Sequence, residues 1–143
     1  KIFMTELEIF MLQAQSSQAT GAYQIAMAFS VWVAFRVASV VGKEHESNLV
    51  AKVAGSVFGL GTLFFFNMTY AFYSFNMAST GHRLAQLQAS GGEISAVAAD
   101  YVIQSGASTT APAMSLLPSD PIIALLELSI LTLILVPIWM PKK

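Results

Sequence analysis

The chain has 143 residues, of which 55% are hydrophobic and only 10% charged, and its formal net charge is -1. An ordinary soluble domain carries about 25% charged residues, so this composition, with a mean hydropathy of +0.64, excludes that class. The missing basic excess argues against a nucleic-acid partner, and the absence of cysteine excludes disulfides, iron–sulfur clusters, thiolate metal sites and thiol catalysis.

Residues 1 to about 18 set Phe3, Leu7, Phe10 and Met11 around Glu6 and Glu8. That spacing predicts a short amphipathic helix lying at the membrane interface; a frayed terminus is the competing reading. The chain opens at Lys1 with neither an initiator methionine nor a signal-peptide pattern. The expectation is either a removed targeting segment or a longer parent sequence.

Three apolar stretches are long enough to cross a bilayer, which takes about 20 helical residues. The first is predicted at 20–42, interrupted by Gln24 and Arg36. Small residues recur there at every fourth position: Ala22, Ala26, Ser30, Ala34, Ala38 and Gly42. Apolar surface gives helices no drive to associate in lipid, so such a ridge matters because it allows close backbone approach. The second span is predicted at 49–78, and its length implies tilt or a helix that continues past the membrane. Gly55 and Gly59 answer the ridge of the first span, which predicts an antiparallel hairpin around a short basic turn.

Further along the second span, Asn67, Tyr70 and Ser74 share a face, with Tyr73 and Asn76 beside it. Such a face either lines a wet cavity or hydrogen-bonds across helices. Asn67-Met-Thr69 is formally a glycosylation sequon, discarded here because it lies at membrane depth. Phe58, Phe64, Phe65, Phe66, Phe72 and Phe75 point all round the helix. Core and lipid contact are their default use, and chlorophyll, carotenoid or quinone contact is the alternative.

The connection 79–120 is the one sizeable polar part. Ser90 to Glu93 reads as a capping box or a turn before a helix. Ile94, Val97, Ala98, Tyr101 and Val102 then form an apolar helical stripe, expected to pack on the membrane surface or a partner. Residues 106–118, rich in Ser, Thr, Ala and Pro, read as an irregular linker. The third span is predicted at 121–140. Ser119 or Asp120 caps it, Pro121 takes its first position, and Pro137 and Pro141 mark its end or a kink. Its Leu and Ile content predicts looser packing or lipid contact.

Arg36, Lys43 and Lys52 flank the first connection, and Lys142 and Lys143 close the chain. Lysine and arginine favour the cytoplasmic side. The expected orientation is N-terminus outside and C-terminus cytoplasmic, in a bacterial plasma membrane or an organelle's inner, energy-converting membrane.

Glu127 is the most informative residue, since a carboxylate at the bilayer centre costs roughly 2.5–3.5 kcal/mol on insertion scales and marks a candidate functional site. Aligning the outer ends of the spans places Tyr23, Gln24, Tyr73 and Asn76 at its depth. The readings for this cluster are a polar clasp, a proton or ion relay, or contact with a cofactor or lipid. Arg36 is expected to snorkel to the inner headgroups with Lys43. His45 and His82 lie at opposite ends of the second span, so one chain cannot use both on one haem or metal. Either can serve as a single axial ligand, or contact lipid with Arg83. The turn from Lys43 to Glu46 is a weak candidate metal site and reads more simply as a solvated turn. No phosphate loop, nucleophile elbow, HExxH or dinucleotide fingerprint occurs.

These observations predict a single all-α membrane domain: three transmembrane helices with short amphipathic or interfacial helices outside. The expected function is that of a small non-catalytic integral subunit of a larger membrane complex, energy-converting or light-harvesting. The alternatives are a homo-oligomeric channel or transporter component using Glu127, and a subunit binding haem or pigment through one histidine. Membrane lipids, other membrane subunits and further copies of the chain are the expected partners; pigment, haem, quinone and structural lipid are the candidate cofactors.

Overall fold

The computed structural model describes residues 4–118 and 120–140. They form an all-α membrane protein with four helices: α1 (Glu6–Glu44), α2 (Leu49–Ala89), α3 (Ala96–Ser105) and α4 (Pro121–Trp139). No strand occurs among the described residues. The first, second and fourth helices are long and apolar enough to cross a membrane.

The ends of these helices follow from local chemistry. Thr5 and Glu8 form a reciprocal capping box at the start of α1: the Glu8 N–H donates to Thr5 Oγ1, and the Thr5 N–H donates to Glu8 Oε2 at 2.7 Å. Nothing then interrupts the helix before Glu44, so residues 6–18 are its first turns rather than a separate interfacial helix. Phe3 lies outside the described residues. At 39 residues, α1 extends about 58 Å at 1.5 Å per residue, roughly twice the hydrocarbon thickness.

Asn48 starts α2 by accepting the Ala51 N–H on Oδ1. This helix has 41 residues and continues to Ala89, so Ser79–Ala89 is helical where a connection was expected. It ends where Gly91 takes a positive φ of 82° and the Gly92 N–H returns to the Leu87 carbonyl, a glycine-closed terminus. Ser90–Glu93 is therefore a turn and not a capping box: the N-cap of α3 is Ser95, which accepts the Ala98 N–H. Asp120 caps α4, with Pro121 at its first turn, as expected. Pro137 lies inside that helix, which ends at Trp139 with Met140 as its cap. Pro141 and Ser119 fall outside the described residues.

The chain divides into two compact units, one of residues 1–21 with 71–115, the other of 22–70 with 116–143. The second unit carries the core of the spanning helices: Val31, Ala34, Ala38 and Val41 of α1 pack with Ile130, Ile134 and Ile138 of α4. Gly55 lies against Val37 and Val41 of α1 and against Ile138, and Gly59 lies against Ile134. Gly42 meets the Pro137 backbone. The glycines and alanines of α1 and α2 thus form a groove that takes the isoleucine ridge of α4.

The third span is the least buried of the three, at 17% of its most apolar stretch, as its Leu and Ile content led one to expect, and its packing is confined to the line of Ile130, Ile134 and Ile138. One expectation changes here. The ridge of α1 is buried only at Ala34, Ala38 and Gly42, whereas Ala22 and Ala26 are exposed and Ser30 is half-buried. Hydroxyls in these helices are satisfied locally: Ser30, Ser56, Thr69, Ser129 and Thr132 each donate to a carbonyl in the preceding turn. At the end bearing the first connection, Trp139 Nε1 donates to Ser56 Oγ at 2.8 Å, and the Lys52 ammonium lies over the Trp139 ring.

In the first unit, Ile9, Leu84, Leu87 and Ala98 form a buried cluster flanked by Phe10, Ile94, Tyr101 and Val102. The apolar stripe of α3 therefore packs on the chain's own α1 and α2, not on an outside surface. Val97 is the exception, 74% exposed.

Candidate functional site

Register decides what surrounds Glu127. Helices α2 and α4 run antiparallel, with Gly55 at Ile138 and Gly59 at Ile134. Continuing by one helical turn at a time places Leu63 beside Ile130, then Phe66 and Asn67 at the level of Glu127. On α1, which runs parallel to α4, the contact of Gly42 with Pro137 puts Trp32 at that same level.

Of the expected cluster, Tyr23 and Gln24 belong to the unit of Glu127, and Tyr73 and Asn76 to the other. Tyr23 and Gln24 lie about 12 Å further out along α1, at 1.5 Å per residue, and Tyr23 is 66% exposed. The Asn76 backbone carbonyl accepts the Thr80 hydroxyl, and Tyr73 is exposed.

Asn67 stands at the level of Glu127. Its Nδ2 donates to the Leu116 carbonyl at 2.6 Å, while its Oδ1 is buried with no hydrogen-bond partner among the described residues. Glu127 Oε1 is in the same condition. Two buried acceptor oxygens thus sit at one depth without a donor, in a setting where nearly all such groups are paired. The sequence marks Asn67 only as one polar position among several on its helix, and its level relative to Glu127 depends on the packed glycines.

His45 precedes α2, and His82 lies within it. His45 lies in the exposed first turn. His82 holds its ring against the Ser108 carbonyl, Nδ1 to O 2.8 Å. A carbonyl only accepts, so Nδ1 carries the hydrogen, and in the neutral ring the lone pair is on Nε2. That is the tautomer an axial ligand needs, since ligating histidines commonly anchor their other nitrogen on a carbonyl. Arg83 is half-buried and Arg36 exposed. Among the described residues, no three His, Asp or Glu side chains group as a metal site.

The first unit has a polar fastening the sequence does not announce. The Glu6 carboxylate accepts the Ser95 N–H at 2.6 Å and the Ser95 hydroxyl at 2.7 Å. It fills the place that a glutamate at the third helical position fills in a capping box, from another helix. Nearby, the Tyr101 hydroxyl donates to the Met77 carbonyl at 3.0 Å, and its ring meets Phe10 edge-on.

Burial, with Tyr73 adding a smaller effect, pushes the Tyr101 phenol above its ordinary value. The folded chain therefore holds this proton more tightly than the unfolded one. The resulting stabilisation is complete below the ordinary range near ~10 and is lost as pH rises through the folded value. An ultraviolet phenolate titration, with Tyr101→Phe as the subtracted reference, should place the Tyr101 transition above the ordinary tyrosine range. A difference transition within that range would contradict the packing described.

Compared with known proteins, the chain matches no family model, no curated protein and no solved structure.

Proposed function

We propose that this chain is a small non-catalytic integral subunit of a larger membrane assembly, stabilising or bridging neighbouring subunits. One observation carries the reading. Only 28%, 22% and 17% of the most apolar stretches of α1, α2 and α4 is buried within the chain. The rest of these helices offers apolar surface to lipid or to other membrane helices. Phe29, Trp32, Phe64 and Phe65 all lie exposed on it, and large outward aromatics are the side chains enriched where protein surfaces meet. The first connection and the end of α4 share one end of their unit, and Arg36, Lys43 and Lys52 are near it. We take that end as cytoplasmic.

A second reading, a channel or transporter component, draws on the unpaired oxygens of Asn67 and Glu127. Native mass spectrometry of material extracted from its own membrane in mild detergent, with an absorption spectrum of the same sample, tests both. Co-migration with larger subunits is the expected result. A colourless assembly of this chain alone would overturn the subunit role. Visible absorbance abolished by His82→Ala would instead move the reading to a pigment- or haem-binding subunit. Glu127→Gln should leave co-migration intact, and a loss of ion or proton flux in that variant would favour the channel.

A further inference from the structure

The opposite charges of Arg36 and Glu127 stand unpaired within their own chain. Among the described residues Arg36 makes no hydrogen bond or ion pair, and Glu127 Oε1 is buried without a partner. Both belong to the same compact unit, and both lie within spanning helices. An unpaired charge at such depth is costly, and intramembrane charges usually pair.

Their depths match. Glu127 is level with Trp32 of α1, and Arg36 is one turn, about 5.4 Å, deeper on the same helix. Side chains on a helix lean toward its N-terminus and cover the turn before their own Cα. The Cα–Cβ bond of Arg36 therefore tilts back toward the level of Trp32 and Glu127, which its long side chain can reach. The two residues differ in direction. Arg36 continues an exposed stripe of Ile25, Phe29 and Trp32, in which Phe29 and Trp32 stack at 5.6 Å. That stripe is opposite the face of Ala34 and Ala38 that packs on α4. Glu127 follows the inward line of Ile130, Ile134 and Ile138, yet is partly exposed, so its carboxyl sits at a seam.

We propose that neighbouring copies of this chain associate in the membrane by inserting Arg36 of one copy at the Glu127 seam of the next. Copies related by rotation about the membrane normal keep every residue at its own depth. A pair between them forms only if its members share a depth, and these do. The aromatic stripe around Arg36 supplies the apolar surround that excludes lipid from the pair. The contact joins two different faces, so it is head-to-tail and closes into a ring when its rotation allows. This proposal is independent of the subunit role: that reading fails if no larger protein co-migrates, this one if copies of the chain do not pair.

Charge exchange tests it. In native mass spectrometry the wild-type chain should appear in more than one copy per particle. Arg36→Glu and Glu127→Arg, each alone, should reduce the multi-copy fraction by roughly tenfold or more, as removing one member of a desolvated pair does. The double exchange should restore it. Because the chain lacks cysteine, Arg36→Cys and Glu127→Cys chains can be co-expressed as a second measurement that tolerates a weakened fold. A disulfide should form between the two kinds of chain in preference to either kind with itself. A wild-type chain present only as single copies, with or without retained anionic lipid, would overturn the proposal. So would single exchanges without effect, a double exchange that fails to restore association while helicity is normal, or cross-links confined to like chains.

Discussion

Gly42→Ala should destabilise the spanning bundle by about 1–3 kcal/mol, the usual cost of overpacking, whereas Gly61→Ala should leave it unchanged or slightly more stable. The difference lies in what the added methyl group meets. At Gly42 it meets the Pro137 carbonyl and its carbon, which are backbone and cannot rotate away. Helix α4 must then move as a body, and its isoleucine ridge leaves the groove. At Gly59 the methyl meets the Ile134 side chain, which is 1% exposed and β-branched, so it also has little room to turn. Gly59→Ala should fall between the other two. At Gly61 no atom lies within 4 Å, and alanine favours a helix over glycine by about 0.5–1 kcal/mol. The chain's two tryptophans, Trp32 and Trp139, both lie in this unit. Thermal unfolding in detergent followed by tryptophan emission therefore reports on it directly. A Gly42→Ala chain melting with the wild type would refute the proposed close approach of α1 and α4.

Leu84→Ala should release α3. Leu84 is 0% exposed and shares its cluster with Ile9, Leu87 and Ala98. Removing a buried leucine costs about 2–5 kcal/mol, depending on how far the site collapses. Helix α3 has only 10 residues, too few to persist unsupported in water, so the loss falls on an element that depends on packing. Amide hydrogen exchange across residues 96–105 should accelerate roughly a hundredfold, from about 2.8 kcal/mol at 1.4 per tenfold. The hydrogen bonds from Ser95 to Glu6 and from Tyr101 to Met77 and the remaining contacts of Ile9, Phe10 and Leu87 would then have to retain it. Val97→Ala removes an exposed side chain of the same helix and should leave exchange unaltered. Equal protection in Leu84→Ala and the wild type would mean that the polar bonds, not the cluster, hold α3 in place.

The spans were legible because hydropathy and length suffice for them, and Asp120 with Pro121 announces the start of α4 by cap chemistry alone. The helical extensions were legible only in part, since the length of the second span allowed a helix that continues past the membrane without saying where it ends. Ser79–Ala89 carries Gly81, His82 and Arg83, which read as a connection because hydropathy reports where lipid would end, not where a helix ends. The capping box of Thr5 and Glu8 was available as a local pattern and points to the true beginning of α1. The Glu6–Ser95 contact had no such signal, since it joins positions 89 apart. Glu127 stood out as an intramembrane acid, but its neighbours did not. They depend on register, and register is set by which glycines admit which branched side chains. The same limit hid the role of α4: isoleucine spacing is visible in sequence, but the groove that receives it is assembled from two other helices.

The local satisfaction of the hydroxyls bears on how the protein is made. Because Ser30, Ser56 and Thr69 each bond within their own helix, α1 and α2 bring few unmet polar groups into the bilayer. They can enter it singly, as membrane helices do before they assemble. Helix α4 leaves the ribosome last of the three. Until it arrives, the cleft of Ala34, Ala38, Gly42, Gly55 and Gly59 stands open to lipid. A nascent chain stalled before residue 121 therefore displays an open, small-residue cleft, which Ile130, Ile134 and Ile138 fill once α4 has entered the membrane.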